Sequence, residues 1–186
     1  MLRSRIIPCL LVRNKGLVKT VQFGDSKYVG DPINAVKIFN EKEVDELIVL
    51  DIDATKENRE PDFKMIANLA NESRMPLCYG GGVKTVDHAK QIIHLGAEKV
   101  ALSSSVIENP SLVGEIAKAV GVQSVIIVLD VKKKGLFGKY QVYTHNGTKS
   151  TGRDPQELAI EFEKLGAGEP ASKPSALRYS LRTKLL

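Results

Sequence analysis

The amino-acid sequence predicts an α/β fold, because short apolar runs that suit strands alternate with segments that begin like helices. Five such runs lie at 5–12, 47–51, 76–80, 99–102 and 124–130. Alternation of this kind requires parallel strand pairing through right-handed crossovers. The strand ends are roughly 30 residues apart, which matches the repeating unit of a (βα)8 barrel. We therefore expect a (βα)8 TIM-barrel fold of which this chain holds about five βα units, an incomplete barrel.

The run at 124–130 is the most uniformly apolar of the five and ends in an acid. Its β-branched composition predicts a parallel strand that is buried on both faces. In parallel α/β folds the carboxyl ends of the strands form the face where ligands bind. Asp130 is therefore a candidate catalytic residue. The alternative is that Asp130 terminates the strand and caps a turn.

Four helices are predicted to start with a capping residue followed by proline, whose missing N–H costs nothing at the first helical position. These starts are Asp31-Pro32, Glu60-Pro61, Asn109-Pro110 and Asp154-Pro155. The segment 13–30 is predicted to be a long functional loop. Glycines and alternating residues at 135–143 predict a small hairpin after the fifth strand.

Length and charge restrict the classes of function. The 186 residues suit one domain with a sizeable core. The formal net charge is +5, but the last 17 positions hold four basic residues and no acid, which leaves +1 on the first 169. We therefore expect no nucleic-acid partner.

Cysteine and histidine are too sparse to indicate a disulfide or a metal site. Cys9 and Cys78 each lie in an apolar run, which predicts buried reduced thiols, and the three histidines show no metal-ligand spacing. No apolar run reaches membrane-spanning length, and the stretch at 1–8 is too short to be a secretory signal. We expect a cytoplasmic protein without a cofactor or a metal.

Several separated motifs together resemble the cyclase subunit of imidazole glycerol phosphate synthase. The resemblance covers 1–169 and excludes the basic tail 170–186, which we expect to be disordered. It implies a barrel that receives ammonia from a partner glutaminase, as a heterodimer, and cleaves a doubly phosphorylated ribonucleotide into imidazole glycerol phosphate and an aminoimidazole carboxamide ribotide. The motifs are Arg5-Ile6-Ile7-Pro8-Cys9-Leu10, Gly30-Asp31-Pro32, Tyr79-Gly80-Gly81-Gly82, Lys99-Val100, Val106-Ile107-Glu108-Asn109-Pro110 and Val142-Tyr143-Thr144-His145-Asn146-Gly147.

Four charged residues lie at strand starts, where alternation along each strand places them toward one mouth of the barrel. Two cations and two anions could neutralise one another there as a ring. The resemblance matches them to the salt-bridged ammonia gate of the family, and the alternative is four ordinary edge charges. The residues are Arg5, Glu46, Lys99 and Glu169.

Phosphate-binding candidates follow the third and fourth strands. Gly82, Ser103 and Ser104 offer exposed amides and hydroxyls, the groups that bind phosphate. The alternative is that the glycine triplet forms only a tight turn. The resemblance places Lys19 on a mobile substrate lid, although a lone lysine also suits solvent. Asp51 either reaches the same mouth or caps the turn that follows it.

One position departs from the family, whose motif has an aspartate where this chain has Leu11. Loss of one member of an acid/base pair lowers a rate by orders of magnitude. Three readings therefore stay open. The chain is a cyclase-family enzyme subunit, a non-catalytic partner that conducts ammonia for amidino-sugar modification of surface polysaccharide, or an inactive fragment.

Overall fold

The computed structural model describes residues 5–21, 24–133 and 139–167. The strands are β1 Cys9–Arg13, β2 Gly16–Thr20, β3 Ser26–Gly30, β4 Leu47–Asp51, β5 Leu77–Gly80, β6 Lys99–Leu102, β7 Val125–Ile127, β8 Asp130–Lys133, β9 Tyr140–Thr144 and β10 Lys149–Ser150. The helices are α1 Pro32–Glu41, α2 Phe63–Glu72, α3 Val86–His94, α4 Ser104–Glu108, α5 Ser111–Val120 and α6 Pro155–Lys164.

A parallel sheet forms the centre of the molecule, as the sequence predicts. The strand order is β3-β2-β1-β4-β5-β6-β7, and the strands from β1 through β4, β5 and β6 to β7 pair in parallel in chain order. Helices connect the successive parallel strands. This α/β arrangement is that of the TIM-barrel family, and the number of βα units stays a prediction.

The two faces of the sheet bury different residues. One face packs against the helices in a large core that includes Val49, Tyr79 and Val100. The other face carries a small separate cluster of Ile48, Cys78 and Ala101. Alternate side chains of a strand point to opposite faces, so the second cluster is the inward face of the sheet.

The segment 13–30, predicted to be a loop, is instead a β-hairpin, and that prediction is wrong. β2 pairs antiparallel with β1 and with β3. The turn between β1 and β2 is tight because Asn14 and Lys15 have φ of 49° and 65° and Gly16 follows them. Two left-handed residues form the type of two-residue turn that matches the twist of paired strands.

The fifth strand is shorter than predicted. β7 ends at Ile127, and Asp130 is the first residue of β8 instead of the last residue of a long strand. Residues 126–130 are half-buried, because β7 is the edge of the sheet within the described residues. The expectation of burial on both faces is therefore wrong there. The predicted hairpin is confirmed, since β8 and β9 pair antiparallel.

Two of the four predicted helix starts are confirmed. Asp31 Oδ1 accepts from the Ile33 amide at 2.7 Å, and Asp154 Oδ1 accepts from the Gln156 amide at 2.8 Å. The other two are corrected. α2 begins at Phe63 with Asp62 as its cap, so Glu60-Pro61 lies before it, and α5 begins at Ser111 after Pro110 without a side-chain cap.

The remaining predictions concern the cysteines, membrane-spanning helices, metal sites and the C-terminal residues. Cys9 and Cys78 are both free thiols, and Cys78 is buried as predicted, whereas Cys9 is only half-buried, so the prediction of burial is wrong for Cys9. No helix in the described segments is long and apolar enough to cross a membrane. Among the same residues, no group of histidine, cysteine and acidic side chains is arranged to hold a metal ion. Glu169 and the tail 170–186 lie outside the described residues.

Candidate functional site

A cleft lies at the carboxyl ends of the parallel strands. The ends of β4, β5 and β6, the segment that follows β7, and the turn between β9 and β10 all contribute to its lining. The residues that matter for chemistry are Asp51, Gly81, Gly82, Ser103, Ser104, Asp130, His145 and Asn146. Four of the five predicted substrate-binding residues and the predicted catalytic residue therefore meet in one place.

The glycines after β5 allow the backbone to come close to neighbouring segments. Gly81 has φ of 117°, and a Cβ atom there would lie 2.4 Å from the Asp51 carbonyl oxygen. Gly82 has φ of 73°, and its Cβ would lie 2.6 Å from the Arg59 carbonyl oxygen. Side chains are excluded at both positions, which leaves bare backbone at the wall of the cleft.

The serines after β6 differ in what their hydroxyls contact. Ser104 is buried and its Oγ accepts a hydrogen bond from the backbone amide of His145 at 3.3 Å. Ser103 precedes α4, is half-buried and lines the cleft. Ser104 thus joins the strand end to the hairpin turn, and Ser103 contributes to the lining of the cleft.

Asp51 caps the turn that follows β4, the alternative that its sequence position left open. Its Oδ1 accepts from the amides of Asp53 and Ala54, both at 3.1 Å. Its Oδ2 accepts from Arg59 Nη1 at 3.1 Å. Hydrogen bonds to Asp51 and then to Glu57 raise the pKa of the Arg59 guanidinium. Asp51 therefore borders the cleft with both carboxylate oxygens already engaged.

Asp130 differs from Asp51 in this respect. Within the described residues its carboxylate has no hydrogen-bond partner, and burial raises its pKa to about 6 against the opposing charge of Lys132. A carboxyl group with a pKa near neutrality can accept and release protons at physiological pH. Asp130 is suited to proton transfer in the cleft.

His145 and Asn146 are cleft residues to which the sequence reasoning assigned no role. They form the turn between β9 and β10, and both have positive φ, 53° and 57°. Asn146 Nδ2 donates to Asp53 Oδ1 at 3.4 Å, and Lys132 Nζ donates to the Gly147 carbonyl at 2.6 Å. The Asn-Gly pair in Thr144-His145-Asn146-Gly147 signals a turn, but nothing in the sequence shows that this turn reaches the cleft.

Two residues singled out from the sequence lie elsewhere. Lys19 is on β2, exposed and cross-strand from Lys27, and does not line the cleft. Leu11 pairs with Leu50 in the parallel register, on the inward face of β1. An apolar side chain therefore occupies the position where the resemblance implies an acid.

A second charged cluster lies at the opposite, amino-terminal ends of the strands. Arg5 Nη2 and Lys99 Nζ both donate to Glu46 Oε2, at 2.9 and 2.6 Å. The Glu46 side chain is only 3% exposed, and its Oε1 has no hydrogen-bond partner among the residues that the structure describes. Three of the four residues predicted to face one mouth are in contact, while Glu169 falls outside the described residues.

The fold and the cleft define a class of protein, a parallel α/β protein of the TIM-barrel type with a cleft at the carboxyl ends of its strands. Residues 5–171 match the model of a family described as histidine biosynthesis protein. The chain belongs to this family.

Curated relatives are similar along the same region. A protein of Leptospira borgpetersenii and one of Vibrio vulnificus, each named as a putative imidazole glycerol phosphate synthase subunit, are 56% and 57% identical over 169 residues. The imidazole glycerol phosphate synthase subunit HisF of Exiguobacterium sibiricum is 42% identical. Each match covers 91% of this chain and 66%, 65% and 67% of the respective relative. The chain thus spans about two thirds of the length of these relatives.

Proposed function

We propose that residues 1–169 form the cyclase-type part of an imidazole glycerol phosphate synthase, which uses ammonia from a partner glutaminase to act on a phosphorylated ribonucleotide. The observation that carries this proposal is the pairing of two sites at opposite ends of one parallel sheet. Asp130 lies in the cleft at the carboxyl ends, and Glu46 lies between Arg5 and Lys99 at the amino ends. The names of the relatives agree with it.

The proposed phosphate site is the wall of the cleft where backbone is exposed. Gly82 cannot carry a side chain without a clash, so a phosphate can approach its backbone closely. Ser103 and Ser104 follow the next strand and add hydroxyl and amide donors. Lys19, on the exposed hairpin, is proposed to reach the substrate when that hairpin lies over the cleft.

Proton transfer falls to Asp130. Its carboxylate is free of hydrogen bonds within the described chain and its pKa is raised to about 6, so it can accept a proton from bound substrate near neutral pH. Asp51 is proposed to border the substrate while it holds the turn at 53–54 and Arg59 in place.

The charged cluster is proposed to be the entry point for ammonia. Glu46 is neutralised by two cations, and Glu169 is the proposed fourth member of the ring. The inward cluster of Ile48, Cys78 and Ala101 lies between this end and the cleft. Apolar and thiol side chains suit the passage of a small neutral molecule and exclude ions.

Leu11 favours a second candidate function, that of a non-catalytic partner that conducts ammonia in amidino-sugar modification of surface polysaccharide. A leucine can neither donate nor accept a proton, yet the charged cluster that the ammonia route requires is present. The two candidates share the glutaminase partner and differ in whether the cleft performs chemistry.

Turnover of the doubly phosphorylated ribonucleotide with ammonium salt as nitrogen source separates the two. Formation of imidazole glycerol phosphate by the native chain, with a loss of at least about a hundredfold in Asp130→Asn, supports the cyclase. Absence of product from the native chain together with product from Leu11→Asp supports the ammonia-conducting partner. Absence of product from both variants contradicts the cyclase proposal.

A further inference from the structure

Three titratable side chains line the cleft within the described residues: Asp51, Asp130 and His145. Asp51 is already engaged, because its two oxygens accept from two backbone amides and from Arg59. Proton transfer to or from Asp51 would break these bonds. Asp130 and His145 therefore are the two cleft groups that can exchange protons without disrupting the fold.

The His145 backbone is held in a conformation that costs free energy. Its φ of 53° and that of Asn146 at 57° lie in the left-handed region, which costs a non-glycine residue about 1 kcal/mol. Strained residues persist where surrounding contacts outweigh the cost. Here the contacts come from three separate segments, through Ser104 Oγ, Asp53 Oδ1 and Lys132 Nζ.

The imidazole ring is oriented by its neighbour. Nδ1 lies 3.2 Å from the hydroxyl Oγ1 of Thr144, whose side chain is buried. Nε2 contacts no hydrogen-bonding group in the described part of the chain. One ring nitrogen is therefore positioned by the protein and the other is available to a bound molecule, the arrangement typical of histidines that move protons.

The ladder between β8 and β9 places His145 near the start of β8. Asp130 is cross-strand from Tyr143, and His145 follows that residue by two positions. Both residues line the same cleft. A substrate between them would have one group on each side.

We propose that His145 is the second proton-transfer group of the cleft and works with Asp130 in place of the acid that is absent at Leu11. This inference rests on the proposed cyclase function. As the bond between the reacting carbon and the leaving nitrogen breaks, the Asp130 carboxylate removes a proton from a second nitrogen on that carbon, whose electron pair forms the new C=N bond. The imidazolium Nε2 donates a proton to the leaving nitrogen. One proton enters the protein and one leaves it, so the pair ends protonated at Asp130 and neutral at His145. Exchange with solvent then restores both.

The turnover test compares the native chain with His145→Asn and with the control His94→Gln. Asparagine tolerates positive φ, so the first change removes the imidazole with little effect on the turn. His94 is an exposed residue at the end of α3, outside the cleft. We expect His145→Asn to lower kcat by about a hundredfold or more, to leave KM within about threefold, and to remove one limb of the pH profile. His94→Gln should match the native chain.

A kcat for His145→Asn within about threefold of the native value, or a pH profile that keeps both limbs, would overturn the proposal. Thermal melting of each variant checks that the fold is intact. If His145→Asn melts early, Thr144→Val is the second variant, because it removes the hydroxyl beside Nδ1 and keeps the ring. A partial loss of kcat with an altered pH profile supports the proposal, and native kinetics contradict it.

A binding measurement separates this inference from the proposed function. Ribose 5-phosphate is added to uniformly 15N-labelled protein, and the ring signals of His145, His94 and His88 are followed by NMR together with the backbone amides. A shift at His145 alone supports contact between its ring and a phosphorylated sugar, even if the native chain shows no cyclase turnover and the proposed function fails. An unmoved His145 signal, while the amide of Gly82 shifts, overturns the inference.

Discussion

At the scale of single residues, Glu46 has the most unusual environment among the charged groups described. Its side chain is almost fully buried, and Oε2 accepts hydrogen bonds from both Arg5 and Lys99. Oε1 has no partner within the described part of the chain. A buried carboxylate that loses a cation is left with an uncompensated charge, which costs more than the pair itself contributed. The free energy of this cluster therefore depends on both partners.

Removal of the Lys99 ammonium tests this dependence. Lys99→Met should lower the free energy of unfolding by about 2–3 kcal/mol, less than in a fully buried pair because the Lys99 side chain is 23% exposed. The control is Lys90→Met, whose pair with Asp87 is exposed and should change stability by at most about 0.5 kcal/mol. Urea denaturation measures both.

A double variant makes the test sharper. Glu46→Leu combined with Lys99→Met removes the buried charge as well as its partner and should be more stable than Lys99→Met alone, by about 1 kcal/mol or more. If the single variant is no less stable than Lys90→Met, or the double variant is the least stable of the three, buried charge is not the cause.

Asp130 predicts a pH dependence with the opposite sign to that of most acids. Its folded pKa is about 6, whereas an unfolded aspartate has a value near 3.9. The folded chain therefore binds the proton more tightly, and the stability from this group is fully present below about pH 4 and lost as the pH rises to 6. Asp130→Asn should equal the native chain near pH 4 and exceed it by about 1–2 kcal/mol at pH 7.

Chemical denaturation at several pH values measures this difference. Asp87→Asn is the matched control, because the Asp87 side chain is 91% exposed and the change relieves no burial of charge. A pH-independent gain for Asp130→Asn would show that burial of the Asp130 charge has no energetic effect.

The sequence predicted the residues of the cleft better than their roles. Asp130, Ser103 and Gly82 follow apolar runs, and in a parallel sheet such positions meet at one edge. His145 could not be predicted in the same way, because it reaches the cleft through a hairpin turn whose position depends on tertiary contacts with Ser104 and Asp53.

At the scale of secondary-structure elements, the turn after β5 packs closely against neighbouring backbone. Gly81 and Gly82 lie against the Asp51 and Arg59 carbonyls. The backbone after β5 is therefore in contact with the backbone after β4 beside the cleft. This contact fixes the distance between the two segments that form this wall of the cleft, since any side chain at either position would push them apart.

A pair of alanine substitutions separates backbone conformation from packing. Gly81→Ala should cost about 3 kcal/mol or more, because its Cβ would lie 2.4 Å from a carbonyl oxygen that belongs to the backbone. Gly152→Ala shares a positive φ of 71° but has open space around the new Cβ, and should cost about 1 kcal/mol. Equal decreases in Tm for the two variants would mean that the positive φ, and not the clash of the new Cβ, determines the loss of stability.

Helices and strands were predictable to different degrees. The caps Asp31 and Asp154 were correct because a local side-chain bond to the backbone decides where these helices begin. The β1–β2 hairpin was missed because its two-residue turn, Asn14-Lys15, lacks the Asn-Gly pair that marks such turns. The full length of the 124–130 strand was wrong because strand ends depend on neighbouring strands, which apolar composition does not report.

At the scale of the whole molecule, the inward face of the sheet connects the charged cluster to the cleft. Cys9, Ile48 and Cys78 are consecutive partners across β1, β4 and β5, and Lys99 is the next partner on β6. One layer of the sheet therefore holds two thiols beside a lysine of the charged cluster. The reactivity of these thiols therefore reports how accessible the inward face is to solvent.

Burial predicts that both thiols are poor nucleophiles in the folded chain. Burial raises the pKa of Cys9 to about 11, and it raises the pKa of the fully buried Cys78 further. Since the thiolate is the reactive form, iodoacetamide at pH 7.5 should label the native protein far more slowly than the unfolded chain in guanidinium. Cys9, which is half-buried, should be labelled before Cys78.

Mass spectrometry of peptides after timed labelling gives the two rates separately, and the unfolded chain supplies the reference at which both cysteines should react alike. Lys99→Met supplies a second comparison, because loss of the ammonium destabilises the cluster next to Cys78 and should speed labelling of Cys78 more than the exposed control Lys90→Met does. Rapid labelling of Cys78 in the native chain, at a rate near that of the unfolded chain, would mean that the inward face is open to solvent. The small apolar layer between the charged cluster and the cleft would then not exclude water, and the proposed ammonia route through it would fail with it.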